Sequence, residues 1–92
     1  MYFDVTAAEH VQGYRIRLTF RDGSIGVVDL AAYAEQDNVF RALRDREYFH
    51  RFRVEYGTLV WGAGGELDIA PETLYEKATG KTVSYNRAKT AV

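Results

Sequence analysis

The stretch 13-GYRIRLTFRDGSIGVVDL-30 decides the fold. Tyr14, Ile16, Leu18 and Phe20 alternate with Arg15, Arg17 and Thr19, the period-two pattern of a strand buried on one face. Asp22-Gly23 follows at once and favours a tight reversal, because the central positions of such a turn take positive φ. Ile25 to Asp29 then returns as the partner strand. An antiparallel hairpin is expected here, and the rest of the chain has to be arranged around it.

Upstream, Phe3 and Val5 alternate with Tyr2 and Asp4, which predicts a strand across Phe3–His10 with Gly13 marking the next turn. Downstream the period changes. Leu30, Tyr33 and Ala34 share a helical face behind Asp29, a good N-cap, and Asn38 is placed to seed a turn through Val39, Phe40 and Leu43. Asp45 caps a third short helix that sets Tyr48, Phe49 and Phe52 at helical spacing. Helices this short persist only when packed, so they are expected to lie on the sheet. Phe52, Val54 and Tyr56 return to alternation, Gly57-Thr58 is expected to turn, and Leu59, Val60 and Trp61 form a further short strand. The last helix begins at Pro71, is stapled by Ile69 and Leu74, and closes at Gly80. The expected fold is α+β, an antiparallel sheet of about five strands with short helices packed mostly on one face.

Composition agrees with one small globular domain, assigned to residues 1–80, and a basic C-terminal tail over 81–92 that is mobile or used against a partner. The 92 residues are 47% hydrophobic and 27% charged, and a net charge of −1 gives no general attraction to nucleic acid or anionic membrane. The absence of cysteine excludes disulfides, thiolate nucleophiles and cysteine-ligated metals. The N-terminus lacks the basic and apolar regions of a signal peptide, and no apolar run approaches the roughly 18 residues of a membrane span. A cytoplasmic protein with no membrane association is expected.

Gly62, Gly64 and Gly65 follow a strand, as a phosphate cradle does, but Glu66, Asp68 and Glu72 come next and no lysine follows before Lys77. An anion placed among three carboxylates with no cation would be repelled, so the glycines read as a turn. Glu66, Asp68 and Glu72 lack the ligand rhythm of a calcium loop, and Glu47 with His50 lacks the facing partners a carboxylate-bridged metal site needs. Ser24 and Ser84 sit in no nucleophile elbow. No enzyme and no cofactor is expected. What remains is arginine. Arg41, Arg44, Arg46, Arg51 and Arg53 interleave with Tyr48, Phe49 and Phe52, and Arg15 and Arg17 line the polar face of the hairpin. The first group could track a nucleic-acid backbone or merely solvate a helix, and the second could form an interface.

Taken in order, the motifs resemble a known family. Phe20, Asp22 and Gly23; Val28, Asp29 and Leu30; Phe40, Leu43, Asp45 and Phe49; then Trp61, Asp68, Ile69, Pro71, Glu72, Leu74 and Tyr75 follow the pattern of the short prokaryotic proteins grouped as domain of unknown function 2442. The resemblance covers about residues 3 to 78. It implies a small α+β domain with a curved sheet, no established enzymatic activity, and an association in some members with a second small protein in a toxin–antitoxin-like gene pair. The expected function is therefore a non-enzymatic interaction module with a protein partner or a second copy of itself. Its contact residues are expected to be Arg15, Arg17, Arg41, Arg44, Arg51 and Arg53, together with the tail. Regulatory nucleic-acid binding through the Arg41–Arg53 cluster is the alternative.

Overall fold

The computed structural model describes residues 1–83, so most of the basic tail lies outside the described residues. Strands β1 (Val5–Gln12), β2 (Arg15–Phe20) and β3 (Ile25–Asp29) form one antiparallel sheet in the order β1-β2-β3. Helix α1 (Ala31–Ala34), a 3-10 helix (Val39–Arg44) and helix α2 (Arg46–His50) follow. Strands β4 (Arg53–Glu55), β5 (Thr58–Trp61) and β6 (Leu67–Ile69) make a second antiparallel sheet in the order β4-β5-β6, and helix α3 (Pro71–Thr79) follows.

Antiparallel sheets with short helices are as expected, but a single sheet of about five strands is not what forms. Among the described residues there are two sheets of three strands. The missed strand is β6, where Leu67 and Ile69 are buried and Asp68 is exposed. Three residues carry too little alternation to stand out before a proline, and the strand exists because it pairs with β5. The two sheets meet where the Val5 N–H donates to Gly57 O at 2.8 Å.

The deciding hairpin is present, with Ile16 opposite Val28 and Arg17 opposite Val27. Its tip differs from the two-residue turn expected. The Phe20 N–H reaches Ser24 O at 2.9 Å and the Gly23 N–H reaches Phe20 O at 2.9 Å, leaving a three-residue loop in which Gly23 takes positive φ and Asp22 does not. Asp22 acts through its side chain instead, accepting the Ser24 N–H at 2.8 Å. The second hairpin turns at Tyr56-Gly57, one residue earlier than expected, with Glu55 opposite Thr58. Tyr56 stands at the tip, 95% exposed, so the alternation through Phe52 and Val54 stops before it. The first strand likewise begins at Val5 and not at Phe3, although Phe3 is buried.

The local helix signals act as their chemistry dictates. Asn38 accepts the Phe40 N–H, and Asp45 accepts the Glu47 and Tyr48 N–H groups, so each short helix has its first donors satisfied. Asp29 accepts the Ala31 N–H at 3.0 Å, although Leu30 occupies the cap position itself and the helix is a single turn. Phe52 falls beyond the end of α2. Pro71 opens α3, Ile69 and Leu74 are buried on either side of its start, and Gly80 closes it in the left-handed conformation.

One core joins the two sheets and the helices. Ile16, Leu18, Phe20 and Val28 enter it from the first sheet, Leu59, Trp61, Leu67 and Ile69 from the second, and Leu43, Phe49, Leu74 and Tyr75 from the helices. Its polar tips are satisfied: the Trp61 indole N–H donates to Phe49 O at 2.9 Å and the Tyr14 hydroxyl to Leu43 O at 3.0 Å.

Tyr75 ties α3 back to the first hairpin by donating its hydroxyl to the Asp22 carboxylate at 2.7 Å. The Ser24 N–H, and after it the Tyr75 hydroxyl, hold the Asp22 carboxyl below its ordinary value of 3.8. A carboxylate lowered on folding contributes stability that is present above its unfolded pKa and is lost as pH falls through the folded value. Asp22→Asn should therefore cost stability at pH 5 to 7, and its deficit against the native chain should shrink below about pH 4. Urea midpoints measured across that range check this. A deficit that stays constant down to pH 2 would contradict it.

Candidate functional site

Six arginines were singled out by the sequence, and the structure distributes them over three places. Arg15 and Arg17 stand on the solvent face of the first sheet, where β2 places alternate residues outward. Each has a cross-strand acid: Arg15 lies 3.5 Å from Asp29, and Arg17 lies 2.6 Å from Glu9. Arg21 beyond them approaches Asp4 at 3.6 Å. These pairs are exposed, so they organise the face more than they stabilise it. Beside them on β3, Ile25 and Val27 are 63% and 44% exposed.

Arg41 and Arg44 lie on the 3-10 helix and do not join that face. Arg41 pairs with Asp37 at 3.2 Å. Arg44 reaches across to the end of α1, donating to Ala34 O at 2.6 Å and Glu35 O at 3.3 Å. Those are the orphan carbonyls of a helix C-terminus, where a cation is favoured, so Arg44 is committed within the fold.

Arg51 and Arg53 come to a third place. With Tyr48, Gly62 and Ala63 they line a hollow of about 230 Å³. The geometry follows from the second hairpin. Arg53 begins β4 opposite Val60, so Arg51 just before β4 and Gly62 just after β5 lie at the same end of the hairpin and line one hollow. The glycine loop then folds back over the outer face of β5. Val60 is only 3% exposed although it stands outside the main core, and Gly65 lies against it. Gly62 has φ +91°, and a Cβ there would coincide with the Glu66 carboxylate. The positive φ is what favours glycine there, since the Glu66 carboxylate ends a flexible side chain that can swing aside.

Charge in the hollow is partly matched. Arg53 donates to Glu55 Oε2 at 2.7 Å, and this bond, helped by Glu66, holds its guanidinium more firmly protonated than usual. Burial, and secondarily the Glu66 charge, push the Tyr48 phenol above its ordinary range, so it remains a neutral donor. Arg51 is exposed and has no carboxylate partner among the described residues. In the sequence an anion site is opposed by Glu66, Asp68 and Glu72 and by the lack of a cation after the glycines. The cations precede them by about ten residues and return through the hairpin.

Elsewhere, His10 and His50 meet with ring centroids 4.4 Å apart, and a His10 ring nitrogen lies 2.9 Å from Gly13 O. Among the described residues, no three His, Asp or Glu side chains converge to hold a metal ion. No helix among them is long and apolar enough to cross a membrane.

A family model described as "Protein of unknown function (DUF2442)" matches residues 5–80. No curated protein and no solved structure matches the chain.

Proposed function

The chain belongs to the DUF2442 family of proteins of unknown function, and from that premise we propose that it is a non-enzymatic protein-interaction module, one half of a small two-protein pair. The observation that carries this reading is the state of β3. Among the described residues it is a terminal strand, paired with β2 alone. Bonds from Phe20 N to Ser24 O and from Leu30 N to Tyr14 O fix which β3 residues face β2, so the backbone groups of Ile25, Val27 and Asp29 turn outward.

Such an edge is usually blunted by lysine, proline or a bulge. This one instead presents Ile25 and Val27 beside the Arg15 and Arg17 row. An extended partner segment would add to it as a fourth strand, with main-chain bonds giving affinity and the two apolar side chains giving register. Nucleic-acid binding through residues 41–53 has less support, because Arg41, Arg44 and Arg53 already have partners within the chain.

Tagged protein purified from its native host is expected to co-elute one small protein at fixed stoichiometry. The double substitution Ile25→Lys with Val27→Lys should reduce that capture by roughly 30-fold or more, the effect of losing a central apolar anchor. Undiminished capture by a variant with native circular dichroism would count against the β3 edge.

A further inference from the structure

The hollow on the second sheet has three features that point to one kind of ligand. Its size, about 230 Å³, is below the usual range for drug-sized ligands and suits a molecule of roughly ten heavy atoms. Tyr48, Ala63 and the arginine stems supply mainly apolar walls. Its donors are unspent: among the described residues the Tyr48 hydroxyl, the Arg51 guanidinium and the Ala63 N–H make no hydrogen bond.

The charge count sets the ligand's charge. Arg53 is bound to Glu55 and also faces Glu66, which leaves Arg51, among the described residues lining the hollow, as the cation free to take an anion. A carboxylate matches one planar guanidinium fork and brings one negative charge. A phosphate dianion would bring a second charge toward Glu66, and among the described residues that line the hollow there is no second unpaired cation to meet it. We infer that the hollow formed by Tyr48, Arg51, Arg53, Gly62 and Ala63 binds a small monocarboxylate with a flat apolar body. The carboxylate lies on the Arg51 fork and the Ala63 N–H, and the apolar body lies against Tyr48. This site is in the other sheet from β3, so it stands or falls apart from the interaction reading.

The test is a titration of the full chain with benzoate, followed in amide nitrogen–proton NMR spectra. Saturable shifts of the Gly62, Ala63, Gly64 and Gly65 amides are expected, with a Kd on the order of 1 mM for so small a probe. Arg51→Ala should weaken binding at least about tenfold, Glu66→Gln should strengthen it, and Arg46→Ala, which removes an exposed arginine outside the hollow's lining, should leave it unchanged. Phenylacetate and an N-acetylated dipeptide ending in phenylalanine present the same carboxylate as a free acid and as a chain terminus, and the tighter arm identifies the source. Absence of saturable loop shifts with all three probes would overturn the site. So would shifts that survive Arg51→Ala, or inorganic phosphate binding as tightly as benzoate.

Discussion

Trp61→Ala is expected to remove about 3–5 kcal/mol of stability, enough to leave much of the chain unfolded at 37 °C. The indole is fully buried and lies stacked on Phe49, with ring centroids 6.2 Å apart. Its N–H also holds the Phe49 carbonyl, so one side chain joins β5 to the end of α2 by both packing and a hydrogen bond. Alanine would leave a cavity between β5 and α2 and an unpaired Phe49 carbonyl beside it. Trp61→Phe keeps most of the packing and loses the donor, so a smaller loss of about 1–3 kcal/mol is expected. Urea unfolding of both variants against the native chain checks the order. Equal losses would mean that the hydrogen bond, and not the packing, dominates.

The second large effect is expected at Gly26. This residue is in β3 with its hydrogens toward α3, and a Cβ added there would sit 2.2 Å from Ala78 O and 2.7 Å from the same carbonyl carbon. Those are backbone atoms of a helix, so no rotamer change can relieve the clash. Gly26→Val should push α3 off the sheet and cost about 1–3 kcal/mol or more as overpacking. Hydrogen exchange should then report lost protection in α3 before the first hairpin. Ala78→Gly removes only the methyl contact at 2.9 Å and leaves the carbonyl in place, so little rescue is expected from the double variant. A full rescue would show that the side chain, not the helix backbone, sets the approach.

Both effects depend on contacts that no local pattern contains. Trp61 reads in the sequence as one residue of a short apolar strand, and Gly26 reads as a gap in the alternation of β3. The residue that each one meets is known only after α2 and α3 have been laid on the sheets. The same holds for the turn at Tyr56-Gly57. A reversal one residue later would shift the whole register of β4 against β5, which is why the sequence alone did not assemble the hollow.

What the sequence by itself determined were features settled within about four residues of one another. The first hairpin follows from strict alternation around Asp22-Gly23, and the caps at Asn38 and Asp45 follow from short polar side chains beside free N–H groups. The start of α3 at Pro71 and its stop at Gly80 belong to the same class, because fixed φ and left-handed φ are properties of single residues. The tertiary structure alone decided the division into two sheets, the existence of β6, the exposed β3 edge and the meeting of Arg51 and Arg53 with the glycine loop. Each of these depends on which strand lies beside which, and that is set by the packing of one shared core, in which Phe20 and Trp61 are buried together though 41 residues apart.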